Sequence, residues 1–311
     1  MPERKRFQYY LVTGKATFPV AVIFCLAMTA ISFGSPADLL PLFSGGLTAY
    51  LLIELNTSFS LIRTRTTFHA ALFLLFYASC VLPHGHSTEA WIPFLFVAGI
   101  YFLFQSYESP YASTPVYHSF LFLGLTSLIF PYILYVIPLV YIFMLPLRSL
   151  NLRSFFAGII GLATPYWFLL CYHLYTGNPA DAFLPFVRLA HPPAIDYSHI
   201  SLSEAVSGGV LLIFTGISST FVISKGFQDK VQTRIMLRIV FTLGITATAM
   251  AVLIPAHFMD AFSILLVAFA IMNGHLLVLT YNKLTHILSW VISVTWISLT
   301  LFNIWTDSFS F

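Results

Sequence analysis

The apolar positions of this chain come in blocks. Runs of about 20 apolar residues, each long enough to cross a hydrocarbon core roughly 30 Å thick, recur from Phe18 to Trp305 and are separated by short polar breaks. The pattern predicts an all-α, polytopic transmembrane bundle, with spans near 16–34, 39–56, 68–83, 91–107, 117–131, 132–147, 155–174, 205–224, 238–255, 259–281 and 285–305. That makes about eleven crossings in a single integral membrane domain, 1–311, with one sizeable external loop at about 175–204. The stretch 117–147 is one apolar run broken by Phe130-Pro131-Tyr132 and Pro138. Pro131 either kinks a single helix or turns a hairpin of two short or re-entrant legs.

Charge sets the orientation and chooses between those two. With the N-terminus inside, thirteen of the fourteen basic residues fall on the cytoplasmic side and only Arg188 lies outside. This is the asymmetry that the positive-inside rule demands, and the C-terminus is then outside. Parity favours the hairpin, because 108–116 and Arg148 both belong to the cytoplasmic face. Composition agrees with the class: 59% of residues are hydrophobic and 8% charged, against about a quarter charged in soluble domains. Arg4, Lys5, Arg6 and Lys15 precede the first apolar run without a small-residue cleavage site after it, so the run reads as a retained helix. The net charge of +3 is scattered beside helix ends, which points to membrane lipids as partners and away from nucleic acid.

Chemistry-bearing side chains concentrate on the outer face. The segment TGNPADAFLPFVRLAHPPAIDYSHISLSE holds Asp181, Arg188, His191, Asp196, His199 and Glu204. Its middle, Phe183 to Ala190, predicts a short helix lying on the membrane, ended by His191-Pro192-Pro193. Arg188 with His191 suits a phosphate seat beside an acid or base; the alternative is an interface anchor among solvated loop residues. His84, His86 and Glu89 form a second external cluster, whose His-x-His spacing by itself implies no metal site. Asp38, and Asp260 beside His257, complete the outer-face acids. Glu54, between apolar neighbours in the second span, is either a functional carboxylate or the partner of Arg63 or Arg65. His69, His173, Asn273 and His275 are candidates for bridging helices. Cys25, Cys80 and Cys171 lie in apolar runs without ligand spacing and read as core thiols. No nucleotide-binding loop, zinc-protease helix or serine elbow occurs, and no cofactor is implied.

From about Leu42 to Phe186 the order of features resembles the GT-C superfamily of polytopic glycosyltransferases. The residues that carry the likeness are GGLTAYLLIELNTSFSLIRTRTTFHAALFLLFYASCVLPHGH, WIPFLFVAGIYFLF, FLFLGLTSLIFPYILYVIPLVYIF and RSLNLRSFFAGIIGLATPYWFLLCYHLYTGN. The layout is also similar to uncharacterised polytopic inner-membrane proteins of Bacteroidetes-type bacteria. The resemblance implies a bacterial cytoplasmic membrane and a polyprenyl-phosphate-linked sugar handled at the extracytoplasmic face. It further implies Asp38 as catalytic base, and a lipid-phosphate seat from Arg188 and His191 with His84 or His86 alongside. The family's long first external loop is here only about Gly34 to Leu40. Two other classes therefore stay open: a non-catalytic scaffold among envelope-assembly proteins, and a transporter or flippase using Glu54 with helices broken at Pro131, Pro138 and Pro165.

The charge map generates a topology test. A reporter active only in the cytoplasm is expected to be silent when fused at Phe311, and Lys230 is expected to resist labelling from outside intact cells; activity or labelling there overturns the map.

Overall fold

The computed structural model describes residues 7–31, 39–82, 88–198, 200–224 and 229–309. These fold into α-helices joined by short turns, with no strand among the described residues. In chain order they are α1 (Phe7–Thr13), α2 (Thr17–Ile31), α3 (Leu39–Phe59), α4 (Phe68–Cys80), α5 (Ile92–Gln105), α6 (Ser113–Ile129), α7 (Ile137–Phe143), α8 (Leu152–Tyr175), α9 (Leu184–Ala190), α10 (Leu202–Ser224), α11 (Val231–Leu253), α12 (Phe258–Leu279) and α13 (Lys283–Phe309). Among the described residues, the 3-10 turns Glu89–Trp91, Pro131–Val136, Pro179–Phe183 and Pro255–His257 lead into α5, α7, α9 and α12.

The helices α3, α8, α10, α11, α12 and α13 are each long and apolar enough to cross a membrane, and α1 with α2 makes a seventh candidate bent by 77°. The protein is thus a helical membrane bundle. The remaining expected spans are shorter: α4, α5 with its lead-in, and Pro131–Phe143 are apolar pieces of at most 17 residues. At 1.5 Å per residue, the 13 residues of α4 reach about 20 Å. The expected first span is α2, and the α1 that precedes it was not foreseen.

Burial arranges these helices around an axis. In the central stretch of α12, 94% of residues are inside the protein, against 22% for α8 and 28% for α13. A helix that is apolar all round belongs in a core, and α12 is packed by α4, α5, α10 and α11. Short hydrogen bonds tie the helices where hydrocarbon offers no competitor. His69 Nε2 lies 2.8 Å from the Leu52 carbonyl of α3, and Ser218 donates to Asn273 across 2.5 Å between α10 and α12. Asn303 of α13 donates to the Ser79 carbonyl of α4 at 2.8 Å. Two of the three cysteines are buried; Cys171 instead faces outward from α8.

On the flank, α8 lies against α6 with small residues at the seam. Its start is fixed by a capping box in which Asn151 and Ser154 satisfy each other's backbone N–H. A Cβ on Gly161 would run into the Tyr117 carbonyl of α6, and one on Gly124 would meet Pro165 at 3.1 Å. The two backbones therefore approach as closely as they do only because these positions lack side chains.

Contacts sort the connections into two ends. At one, Glu108 meets Arg148 at 2.9 Å and its N–H donates to the Leu147 carbonyl, while Gln8 donates to the carbonyls of Leu277 and Thr280. At the other, Tyr135 donates to the Leu189 carbonyl and Tyr197 to that of Val252. The chain from α6 through α7 thus leaves the first end and returns to it, as the hairpin reading expects. Its return leg is a 3-10 turn followed by the seven-residue α7.

The α6–α8 seam makes a direct test. Gly161→Ala is expected to destabilise the protein by about 1–3 kcal/mol through overpacking against a backbone carbonyl that cannot yield; an unchanged melting temperature in detergent would show that α8 slides freely on α6.

Candidate functional site

Two proline turns build the polar site at the loop-bearing end. Proline disfavours helical backbone in the residue before it, and both Phe130 (φ −119°, ψ 86°) and Ile254 (φ −129°, ψ 68°) leave the helix there. The turns Pro131–Val136 and Pro255–His257 then face each other. The rings of Phe130 and Tyr132 sit 5.8 and 5.2 Å from the His257 ring. One turn further on, Asp260 Oδ2 lies 2.7 Å from His257 Nδ1. The Asp260 side chain is only 3% exposed, whereas that of His257 keeps 28% of its surface open.

A carboxylate at Nδ1 holds the proton on that nitrogen and leaves Nε2 free to accept one. The second Asp260 oxygen, Oδ1, has no hydrogen-bond partner among the described residues. A cavity of about 20 Å³ opens beside it, lined also by Tyr77, Glu89 and Ser263, which is room for a single bridging water. The sequence reading named His257 and Asp260 as neighbours but not as a pair. The signal was present in the three-residue spacing directly after Pro255, which puts both side chains on one helix face.

The segment 183–190 folds as expected into a short helix. α9 runs from Leu184 to Ala190 and is capped by His191, whose N–H donates to the Val187 carbonyl at 3.0 Å. α9 packs on the Pro131–Val136 turn. Arg188, exposed, is thus carried on the helix that packs against the turn holding Tyr132, whose ring faces His257, while His191 stays exposed at the helix end. The opposite face of α9 roofs an apolar groove of about 490 Å³ against α8, lined by Tyr166, Trp167, Phe168, Phe183 and Phe186. The candidates Asp38, His84 and His86 lie outside the described residues. Among those described, no three His, Cys, Asp or Glu side chains form a metal-holding group.

Glu54 does not belong to this site. It is half-buried and accepts from the Ser58 hydroxyl one turn on at 3.0 Å. The partner of Arg63 is instead Asp229, which contacts Arg63 Nε at 2.9 Å and His275 Nε2 at 3.4 Å. Asp229 sits at the basic end, just before α11, where it ties α12 and the α3–α4 connection together. Burial pushes its carboxyl up, but His275 and Arg63 outweigh that and hold it below the usual carboxylate value. Glu54 is nearer in sequence, yet a helical carboxylate pointing along its own helix cannot reach a cation beyond the turn at Ser60.

No family model, curated protein or solved structure matches this chain.

The depressed Asp229 carboxyl stabilises the fold above about pH 3.8, its ordinary value, and that stabilisation is lost as pH falls through the lower folded value. Asp229→Asn is expected to lower stability at neutral pH by about 1–3 kcal/mol and to remove this acid-sensitive part of the profile. Parallel pH–melting curves for the two proteins would contradict the assignment.

Proposed function

We propose that this chain is a membrane enzyme of the GT-C type, working at the extracytoplasmic face of a bacterial inner membrane on a lipid-linked sugar phosphate. In this reading the chain crosses eleven times, with its N-terminus in the cytoplasm and its C-terminus outside. The count takes in α4, α5, α6 and the 131–143 leg, each 13 to 17 residues long. What supports it is burial: α4 lies inside the protein along almost its whole length, and a helix screened from lipid need not match the bilayer.

The observation that carries the function is the placement of α9 between a greasy groove and a polar pair. Phe183 and Phe186 look onto the groove against α8, while Arg188 rides on the same helix, which packs on the turn whose Tyr132 ring lies 5.2 Å from that of His257. α9 is only about 10 Å thick, so an isoprenoid chain in the groove can carry its phosphate around to the arginine. His257, oriented by Asp260, accepts the proton of an acceptor hydroxyl. The freed oxygen attacks the sugar's anomeric carbon, and the bond from that carbon to the phosphate oxygen breaks with its electron pair leaving on the lipid phosphate. Arg188 stabilises the charge gathering there with its two-pronged donor set. Asp38, the base that the resemblance implies, competes with His257 for the same role.

An anchor needs only positive charge, whereas a phosphate clamp needs the planar fork that lysine lacks. Arg188→Lys is therefore expected to weaken polyprenyl-phosphate binding to the purified protein about tenfold, or about 1.4 kcal/mol, at unchanged melting temperature. His257→Gln is expected to keep that binding and to lose transfer. Equal binding by the arginine and lysine forms, or binding by neither, would remove the enzyme reading in favour of a scaffold.

A further inference from the structure

At the end of the bundle opposite α9, a second cavity of about 680 Å³ lies where the bent α1–α2 junction, the end of α3 and the α3–α4 connection meet. Its lining is rich in basic and hydroxyl side chains. Lys15, Arg63 and Arg65 all line it, together with Ser60, Thr64 and Thr67, and among the described residues no aspartate or glutamate does. Val12, Ile53 and Val278 give it an apolar side. From the geometry we infer that this cavity is a binding site for a phosphate-bearing ligand, separate from the lipid-phosphate site proposed at the other end.

The site is held in shape. Ser60 takes a left-handed φ of 51°, which ends α3 and throws the chain sideways. The segment that follows is pinned by the Ile62 N–H donating to Asn56 Oδ1 at 2.7 Å and by the Phe68 N–H donating to Thr66 Oγ1 at 3.1 Å. Leu61 and Ile62 are buried beneath it at 1% and 3% exposure. The two arginines are therefore presented from a fixed strap. Arg63 is further anchored through its Nε to Asp229, while Lys15 and Arg65 have no ion pair among the described residues.

Elsewhere at this end the charges are handled differently: Arg148 is paired with Glu108, and Arg63 itself reaches outward for Asp229. Three cations around one hollow repel one another; Asp229 relieves Arg63, but among the described residues no carboxylate pairs with Lys15 or Arg65. A phosphoryl group does so, offering guanidinium and ammonium groups several acceptor oxygens and the hydroxyls the same. The volume falls within the range of small-molecule sites. The ligand's phosphate comes either from a lipid headgroup of the adjoining leaflet or from a soluble phosphorylated molecule.

The full chain in phosphatidylcholine nanodiscs separates these sources. Inorganic pyrophosphate is titrated into one sample while melting temperature is read; a second sample carries phosphatidylglycerol among its lipids. Stabilisation by pyrophosphate in the neutral disc identifies a soluble ligand, and stabilisation by phosphatidylglycerol alone identifies a headgroup; either supports the site. In both cases Arg65→Gln and, independently, Lys15→Gln are expected to weaken the response roughly tenfold while melting like the parent in the neutral disc. Arg188→Lys, at the far end, is expected to leave it unchanged. Absence of stabilisation in both samples, an equal effect of sodium chloride at matched ionic strength, or an undiminished response in both cavity variants would overturn the site and leave these cations as ordinary solvated interface charges.

Discussion

A helix that touches lipid on no side must find partners inside the protein for every polar group it carries, and α12 carries several. Asp260 meets His257, Asn273 meets Ser218, and His275 meets Asp229. Asp260, Asn273 and His275 are themselves buried, so each bond fixes a neighbour's height and rotation as well as contributing energy. Dispersion packing against α4, α5, α10 and α11 then fills in around those pins. The elements that diverge from ideal span length, α4 and α5, are among those most fully covered by this arrangement.

The same helix connects the two ends. Its N-terminal turn holds the His257–Asp260 pair under the Phe130 and Tyr132 rings, and its last turns hold His275 against Asp229 and receive Gln8. One end is built by prolines that turn backbone out of helix beside aromatic rings. The other is built by a left-handed serine and by cations. Lipid-facing α8 and α13 contribute little to either, which fits their exposed Trp167, Phe168, Ile287 and Leu301 side chains.

Much of this was legible in the blocks of apolar residues, because a bilayer demands length and hydrophobicity of anything that crosses it. The turn at Pro131 and the short helix ending at His191 were readable because proline acts on its immediate neighbours. That the segment 108–116 and Arg148 share one end, where Glu108 pairs with Arg148, followed from charge counting. What stayed hidden depends on how helices rotate about their axes. Arg63 prefers Asp229, 166 positions away in sequence, over Glu54 nearby, and no local pattern encodes that choice. Nor did α1 declare itself, since its seven residues FQYYLVT fall far short of a span's worth of apolar length.

The Gln8 contacts also say something about when this bundle can be finished. The buried Gln8 amide donates to Leu277 and Thr280 at 2.7 and 2.8 Å, and Thr285 donates back to its Oε1 at 3.2 Å. Every partner of that side chain is made some 270 residues later than the glutamine itself. During synthesis α1 must therefore wait, its amide hydrated at the headgroups, until the axial helix has been inserted. The first described helix is in this sense the last to dock, a latch closed by the completed chain.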